Sequence, residues 1–250
     1  MTLDISATNS RGLVREKNDD MMLVASNKIR NQNIRFKIQR TSDENCIFAV
    51  ADGLGGYSGG DVASAEVVNE LDFFFHSLPK GMDEEAFRDC FNAWIVRTHK
   101  RLLEMGQDNP QWAGMGTTLV ALVIYEKHIY WLNCGDSRLY RYRGRRLAQL
   151  STDHSLSSLT GNSTHENVLV NSIGAGKEAY FDIVNCTDDI LAGDVMMLCS
   201  DGLSKMLTDE KMEKLLGQTH DSRVLEREAC KAGGLDNISV CLVHFIRLMD

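Results

Sequence analysis

The stretch "CIFAVADGLGGYSGGDVAS", residues 46–64, joins an apolar run to an aspartate and then to five glycines within eight positions. The run from Cys46 to Ala51 has the composition of a buried strand. An Asp-Gly pair after a strand is typical of a hairpin turn, because both residues tolerate positive φ. A hairpin would lead into a second alternating strand, whereas the residues from Asp61 onward have the pattern of a helix. We therefore expect Asp52 at the tip of a buried strand, where catalytic groups are often found.

The length and composition of the chain predict one α+β domain over residues 1–250. A chain of this length with 43% hydrophobic residues can bury a substantial core. No linker or low-complexity tract divides it. Strand patterns are grouped with strands and helix patterns with helices, and a doubly wound fold would alternate them.

The order of the predicted elements is as follows. Strands fill the N-terminal third, two long helices cover about 61–78 and 83–105, and four strands between 117 and 151 form an antiparallel meander. A polar segment at about 155–176 forms a short flap. Two strands, two or three helices over about 203–232 and a last strand complete the chain.

The net charge of −8 argues against a general nucleic-acid or anionic-membrane binder. The sequence contains no signal peptide and no run of about 18 apolar residues. We therefore expect a cytoplasmic protein that binds neither nucleic acid nor membrane, and we expect a monomer.

The seven cysteines form no C-x-x-C pair, and most lie inside apolar runs. This pattern favours a reducing compartment and small buried side chains over disulfides or a zinc site. Cys241 and Arg247 have the C-x5-R spacing of cysteine phosphatases. The residues between them are apolar and include no glycine to form a phosphate-binding loop, which argues against that alternative.

Acidic residues recur at the edges of the apolar strands. They are Asp19 and Asp20, Asp52, Asp136, Asp201 and Asp236. If the strand ends converge, two carboxylates about 4 Å apart would repel by about 4 kcal/mol at an effective dielectric constant of about 20, so a cation must lie among them. Ligand sets of oxygen alone favour Mg²⁺ or Mn²⁺ over zinc or copper. The sequence by itself leaves the convergence open.

Seven short motifs occur in order from Gly12 to Val240: "GLVREKNDD", "VADGLGG", "GTTLVAL", "NCGDSRLY", "DHS", "LCSDGLS" and "GGLDNISV". In this order the chain resembles the metal-dependent protein serine/threonine phosphatases of the protein phosphatase 2C type, in their bacterial form. The resemblance implies a four-layer α/β/β/α sandwich of two antiparallel sheets flanked by helix pairs. It also implies hydrolysis of phosphoserine and phosphothreonine in proteins by a metal-activated water.

The resemblance further assigns roles to residues of this chain. Arg15 would grip the substrate phosphate. Asp52 would bridge two Mn²⁺ or Mg²⁺ ions, and Asp136 would, with Asp201, bind a third ion. The remaining ligands would be Asp20, the carbonyl of Gly53, Asp201 and Asp236. Asp19 and Asn237 would lie next to these ligands without binding the ions directly.

The chain departs from the family pattern at several positions. Asp19 replaces a glutamate and is one methylene shorter. Leu54 stands where some relatives carry a histidine proposed to protonate the leaving alcohol, which leaves His154 either as an alternative acid or as a structural residue. The flap at 155–176 is shorter than in typical members. The basic stretch at 26–45 is either a charged edge strand or a docking surface for an acidic or phosphorylated partner.

Three functions remain to be compared at this stage. The first is a signal-transduction phosphatase that acts on phosphorylated Ser/Thr proteins, with a cognate kinase and its substrates as partners. The second is a catalytically dead member that binds phosphoproteins or a kinase, which loss of Arg15 or of two carboxylates would have favoured. The third is a phosphomonoesterase for small metabolites.

Overall fold

The computed structural model describes residues 1–41, 43–54, 59–161 and 168–248. The strands are β1 (Thr2–Ser10), β2 (Met21–Val24), β3 (Asn27–Ile29), β4 (Gln32–Gln39), β5 (Cys46–Ala51), β6 (Gly53–Leu54), β7 (Gly116–Thr117), β8 (Leu119–Tyr125), β9 (His128–Cys134), β10 (Arg138–Arg143), β11 (Arg146–Gln149), β12 (Asp182–Asn185), β13 (Val195–Cys199) and β14 (Ile238–Arg247). The α-helices are α1 (Gly60–His76), α2 (Glu84–Asp108), α3 (Leu156–Thr160), α4 (Asp201–Ser204), α5 (Asp209–Leu216) and α6 (Ser222–Lys231). Short 3-10 helices lie at Pro110–Trp112 and Thr187–Asp189.

Two six-stranded antiparallel sheets form the centre of the molecule. Sheet I has the strand order β11-β10-β13-β14-β1-β4, and sheet II has the order β12-β9-β8-β5-β2-β3. The short strands β6 and β7 pair with each other outside both sheets. Every pairing within the two large sheets is antiparallel, as predicted.

The layer order follows from alternation along the strands. In β5, Phe48 and Val50 face a core shared between the two sheets, whereas Ile47 and Ala49 face a core shared with α1 and α2. The outer face of sheet I is covered by α4, α5 and α6, which form a third core. Successive side chains on a strand point to opposite faces of the sheet, so one strand contributes side chains to two cores. The predicted four-layer sandwich is confirmed, with the one-turn helix α4 added to one of the expected helix pairs.

The helix starts follow from local chemistry. Asp83 caps α2, and its side chain accepts a hydrogen bond of 2.9 Å from the Ala86 backbone N–H, as the sequence predicts. At the start of α1, Gly59 has a φ of 103°, which only glycine adopts readily, and the helix begins at Gly60. Gly55 and Gly56 of the glycine-rich stretch lie outside the described residues.

The predicted four-strand meander is wrong. Strands β8 and β9 pair in sheet II, whereas β10 and β11 pair in sheet I, so the chain changes sheet after Cys134. The turn uses Gly135 at a φ of 115°, where an added Cβ would lie 2.6 Å from the Thr118 side chain. Strand patterns do not encode which sheet a strand joins, because hydrogen-bond pairing is decided between distant segments. The crossing carries Asp136 between the two sheets.

Three other sequence-based predictions can be compared with the fold. The basic segment 26–45 contains β3 and β4, which are edge strands of the two sheets, although Ser42 lies outside the described residues.

All seven cysteines are free thiols, and Cys241 is fully buried in β14, where burial raises its pKa. A buried thiol with a raised pKa is a poor nucleophile, so the C-x5-R alternative is wrong. None of the helices in the described part is long and apolar enough to cross a bilayer.

Candidate metal centre and active site

The acidic motifs converge on one cleft of about 440 Å³ where the two sheets end. Asp52 follows β5 of sheet II, and Asp201 follows β13 of sheet I. Asp236 lies just before β14, and Asp136 lies in the crossing between the sheets. The described residues that line the cleft include Arg15, Asp19, Asp52, Gly53, Leu54, Asp136, Asp201, Lys205, Asp236 and Asn237. The fold therefore brings together carboxylates that are far apart along the chain.

Asp52 is held by its backbone. Its N–H donates to Thr118 Oγ1 at 3.1 Å, and its carbonyl accepts from the Thr118 N–H at 2.9 Å and from Thr117 Oγ1 at 2.8 Å. Burial raises the pKa of the Asp52 carboxyl well above its usual range, and the neighbouring carboxylates of Asp20 and Asp201 raise it further. This carboxylate is therefore both fixed in position and in need of a cation.

Gly53 lies where no larger residue fits. An added Cβ would lie 2.3 Å from the Gly60 carbonyl oxygen and 2.5 Å from the Asp19 carbonyl oxygen. The close approach of these three backbone segments packs the start of α1 against the loop that carries Asp19. Glycine is therefore required here for packing, independently of any role of its carbonyl.

Asp20 lies beneath the cleft and is 1% exposed. Its Oδ2 accepts a hydrogen bond of 2.7 Å from Ser239 Oγ, whereas its Oδ1 is buried without a hydrogen-bond partner among the described residues. Burial raises the pKa of this carboxyl to about 7, against the opposing effect of hydrogen bonds from Ser239 and Ser200. A buried carboxylate oxygen without a hydrogen-bond partner lowers the stability of the fold unless a bound cation contacts it.

The loop at 11–19 is fastened by Asn237. The Asn237 amide nitrogen donates to the carbonyls of Arg11 and Lys17, both at 2.9 Å, and its oxygen accepts from the Asp19 N–H at 2.7 Å. This clamp holds Arg15 at the mouth of the cleft, where its Nη2 lies 2.6 Å from Asp236 Oδ2. That hydrogen bond raises the pKa of the Arg15 guanidinium. Asn237 thus positions the loop that carries the predicted phosphate-binding arginine.

Lys205 is a cleft residue that the sequence reasoning missed. Its Nζ lies 2.5 Å from Asp201 Oδ2, one helical turn away. Burial lowers the pKa of Lys205, but the carboxylates of Asp201, Asp136 and Asp52 more than offset that effect, and the pKa is raised. The i,i+4 spacing from Asp201 at a predicted helix start was the signal that could have identified it.

Comparison with known proteins agrees with this arrangement. The family model described as Protein phosphatase 2C matches residues 25–232. The serine/threonine phosphatase stp of Listeria monocytogenes is 30% identical over 249 residues, covering 94% of this chain and 92% of that protein. The chain belongs to the protein phosphatase 2C family.

Solved structures of relatives share the fold of this chain. The S. agalactiae serine/threonine phosphatase superposes with a TM-score of 0.82 and 26% identity, covering 97% of this chain and 99% of that one. The catalytic domain of the serine/threonine protein phosphatase PstP, solved in complex with two manganese ions, superposes with a TM-score of 0.74 and 25% identity, covering 99% of this chain and 100% of that one.

The ring of His154 is held on both sides by neighbouring residues. His154 as a whole is 7% exposed, and its Nε2 lies 2.9 Å from Asp182 Oδ2. Its Nδ1 accepts from the Gly135 N–H at 3.2 Å and lies 2.8 Å from the Asn171 amide nitrogen. Both ring nitrogens are thus engaged, and the ring supports the sheet crossing next to Asp136. His154 is not among the described residues that line the cleft.

The donor set of the cleft fits a hard divalent cation. Asp136 is 9% exposed, and burial followed by the nearby Asp201 carboxylate raises the pKa of its carboxyl to about 6. Within the described ranges, no three His, Cys, Asp or Glu side chains form a ready-made ligand cage. Asp201 and Asp236 are instead turned toward Lys205 and Arg15. Oxygen ligands alone, one of them buried and unpaired, suit Mg²⁺ or Mn²⁺.

The predicted flap lies partly outside the described residues, which omit 162–167. In the part that is described, Ser155 pairs with Leu169 and Ile173 pairs with Thr117 of β7. Leu169 lines the cleft. The segment is therefore closed on itself near its start and is paired through Ile173 with β7, the strand that pairs with Gly53.

Proposed function

We propose that this protein hydrolyses phosphoserine and phosphothreonine in other proteins at this cleft, acting as one catalytic domain over residues 1–250. The observation that carries the proposal is the meeting of Asp20, Asp52, Asp136, Asp201 and Asp236 beside one exposed arginine, Arg15. Membership of the protein phosphatase 2C family and the names of its relatives support a metal-dependent serine/threonine phosphatase.

The proposed metal ligands are Asp20, Asp52, the Gly53 carbonyl, Asp201 and Asp236 for two Mn²⁺ or Mg²⁺ ions, with Asp136 and Asp201 for a third. When bound, such a pair of ions supplies an activated water and shields the phosphoryl charge during in-line attack. The raised pKa values of Asp20 and Asp52 support this assignment, because neighbouring buried carboxylates become ionised most easily beside a cation. Manganese in the related PstP structure supports the choice of ion.

Arg15 is the proposed phosphate anchor. Its guanidinium is 57% exposed and pairs with Asp236, so it can exchange that partner for phosphoryl oxygens at small cost. A planar guanidinium holds two phosphoryl oxygens at once, which a lysine does not. Asp19 and Asn237 contribute by holding the loop that carries Arg15.

The proposal extends to partners, location and oligomeric state. The substrates would be phosphorylated Ser/Thr proteins, produced by a cognate serine/threonine kinase in the cytoplasm, and the enzyme would act as a monomer. A catalytically dead member is disfavoured, since Arg15 and the carboxylates are all present and face one cleft.

The test is hydrolysis of phosphoserine, phosphothreonine and phosphotyrosine peptides beside a small sugar phosphate, with Mn²⁺ present. We expect turnover of the first two peptides, loss of turnover with EDTA, and recovery on adding Mn²⁺. Activity that ignores the chelator, or that favours the sugar phosphate, would overturn the proposal.

Arg15→Ala sharpens the same test. We expect KM for a phosphopeptide to rise by about tenfold or more, because a charge-assisted bidentate contact is lost, while Mn²⁺ affinity changes much less. Arg15→Lys is the matched variant, which keeps the positive charge but lacks the planar guanidinium that binds two phosphoryl oxygens. Steady-state kinetics and Mn²⁺ calorimetry separate the two effects, and an unchanged KM would remove Arg15 from the phosphate site.

A further inference from the structure

A second cavity, of about 550 Å³, lies between the end of β1, the start of β4 and α6. Three arginines, Arg11, Arg223 and Arg227, line it together with the side chains of Asn31 and Asn33. Only one acidic residue, Glu226, is among the described residues of its wall. In a chain of net charge −8, such a basic concave surface calls for an explanation.

Only one of the three arginines in this basic pocket has a carboxylate partner among the described residues. Arg223 is paired bidentately with Asp221. Arg227 Nε donates to the Arg223 carbonyl at 3.2 Å, and Arg11 Nη1 donates to the Glu16 carbonyl at 3.3 Å. Neither Arg11 nor Arg227 has a carboxylate within salt-bridge distance in the described part of the chain. Two exposed guanidinium groups therefore face solvent with donors to spare.

The single acidic residue of the wall is engaged elsewhere. Glu226 Oε1 accepts a hydrogen bond of 3.0 Å from Ser10 Oγ and one of 3.3 Å from Cys230 Sγ. These contacts hold the carboxylate on the wall, against the end of β1. Among the described residues Glu226 thus forms no ion pair with Arg11 or Arg227, and these two guanidinium groups outnumber it in the pocket.

The basic pocket shares a wall with the catalytic cleft. Arg11 and Gly12 line the pocket, and Arg15, four residues along the same loop, lines the cleft. An added Cβ on Gly12 would lie 2.1 Å from the Asp236 carbonyl oxygen, so the two walls are in backbone contact. Four residues of extended chain span at most about 14 Å, which bounds the separation of Arg11 and Arg15.

A buried hydrogen-bond chain connects the floors of the two cavities. Asn9 lines the basic pocket, and its amide nitrogen donates to Ser239 Oγ at 2.8 Å. Ser239 Oγ in turn donates to Asp20 Oδ2 at 2.7 Å. The Asn31 N–H donates to Asn9 Oδ1 at 2.7 Å, which fastens the start of β4 to the same chain. The pocket is therefore built into the framework of the active site.

An exposed apolar surface lies between the two cavities. Leu13 is 66% exposed and Val14 is 60% exposed, on the loop between Arg11 and Arg15. Leu235, 56% exposed, lies beside the cleft, next to Gly234, whose carbonyl accepts from the Leu13 N–H at 2.8 Å. An extended polypeptide that leaves the cleft past Arg15 would cross these side chains before it reaches the pocket.

We propose that the basic pocket is an exosite for acidic side chains of the phosphoprotein substrate, about three to five residues from the phosphorylated residue at about 3.3 Å of extended chain per residue. This inference rests on the proposed function. Two guanidinium groups and flanking amides in a concave site suit carboxylates one at a time. A long polyanion such as nucleic acid would be repelled by the net charge of −8 on the rest of the chain.

The test compares two phosphoserine peptides that differ only in glutamates or glutamines on both sides of the phosphoserine, with p-nitrophenyl phosphate as a substrate too small to reach the pocket. We expect kcat/KM for the acidic peptide to be about threefold to tenfold higher at low salt, because each exposed charged contact contributes up to about fivefold. The preference should fall as ionic strength rises.

Arg227→Gln should reduce the preference, and Arg11→Gln with Arg227→Gln should abolish it, while kcat/KM for p-nitrophenyl phosphate stays within about twofold of the original, because these exposed contacts lie outside the cleft. The matched control is Arg97→Gln, which removes the same charge from the exposed face of α2 in the opposite helix layer. This control should leave the preference intact.

Each outcome decides one of the two claims. If the original protein hydrolyses neither the peptides nor p-nitrophenyl phosphate with Mn²⁺, the proposed function fails. If it hydrolyses both peptides equally, or if the preference survives the double substitution, the exosite is overturned and the function stands. An equal loss of preference in Arg97→Gln would also overturn the exosite, by assigning the effect to the overall charge of the protein.

Discussion

The tripeptide Asp-Gly-Leu occurs at two strand ends, and the two copies have different surroundings. Asp52-Gly53-Leu54 continues from β5 of sheet II into the short strand β6. Asp201-Gly202-Leu203 continues from β13 of sheet I into the helix α4. Leu54 lines the cleft, whereas Leu203 is fully buried in the core between sheet I and its helices.

The electrostatics of the two copies also differ. Asp201 starts a helical turn, so Lys205 reaches its carboxylate one turn later. Asp52 starts no helix, and its carboxyl keeps a strongly raised pKa because of burial and neighbouring carboxylates. One short motif thus gives one carboxylate with a built-in counter-ion and another that depends on an external cation.

The glycines of the two copies have a common function. An added Cβ on Gly202 would lie 1.9 Å from the Asn237 carbonyl oxygen, and one on Gly53 would lie 2.3 Å from the Gly60 carbonyl oxygen. Both glycines permit a close backbone approach that holds the aspartate before them. The Asp-Gly-Leu motif therefore encodes a tightly packed strand end. The strand or helix that follows the motif sets the charges around its aspartate.

The largest expected effect is that of Asp52→Asn. Since the Asp52 carboxylate, unlike that of Asp201, has no ion-pair partner in the described part of the chain, we expect kcat/KM for p-nitrophenyl phosphate at saturating Mn²⁺ to fall by more than about a hundredfold. Asp201→Asn should cost less, because Lys205 already neutralises part of the charge of the Asp201 carboxylate. Thermal unfolding provides the check on folding. An Asp52→Asn protein that keeps more than about a few per cent of activity would end its assignment as the bridging ligand.

Gly202→Ala and Gly53→Ala test the common packing function. Both added methyl groups would meet backbone oxygens, so we expect each to lower the free energy of unfolding by about 1–3 kcal/mol or more, with the larger loss at Gly202. Gly217→Ala is the control, because its added Cβ would first meet the Tyr142 hydroxyl at 3.1 Å. Urea unfolding measures all three. Equal stability of Gly202→Ala and the original protein would contradict the packing argument.

The pH dependence of the metal-free protein tests the raised carboxyl pKa values. The Asp20 carboxyl keeps its proton up to about pH 7 in the folded protein, whereas its ordinary pKa is 3.8. Between these values the folded state binds more protons than the unfolded state, so the contribution of Asp20 to stability falls as pH rises from about 4 to about 7.

We therefore expect Tm in EDTA to fall more steeply over that range in the original protein than in Asp20→Asn. Added Mn²⁺ should raise Tm more at about pH 7.5 than at about pH 5.5, because the carboxyl groups that bind the ion must first lose their protons. These two pH values lie on either side of the raised pKa of Asp20, which is about 7. Parallel Tm profiles for the two proteins would refute the assignment of the slope to Asp20.

The smallest expected effect is that of Lys205→Met. Removing the ammonium group frees Asp201 and lowers the positive charge in the cleft, so Mn²⁺ affinity should rise by up to about fivefold, the value of one partly exposed ion pair. Lys214→Met, on the exposed side of α5, is the matched control and should change nothing. Calorimetric titration measures both. A weaker Mn²⁺ affinity in Lys205→Met would mean that Lys205 supports the ion rather than competing with it.

Local features of the molecule followed from the sequence. The buried strand β5 occupies the predicted residues, and Asp83 caps α2 through its side chain. The grouping of strands and helices gave the fold class, and the order of short motifs gave the family. These features depend on side-chain periodicity and on a few neighbouring residues, which are readable along the chain.

Only the tertiary structure decided how distant segments meet. It placed β9 and β10 in different sheets, put Lys205 beside Asp201, and joined Arg11 to Arg227 in one pocket. Strand pairing and side-chain contacts between remote residues depend on the backbone path through space, which no local pattern encodes. The sequence therefore determined the acidic motifs and the family, and the packing of the two sheets decided which of the acidic groups share a cleft.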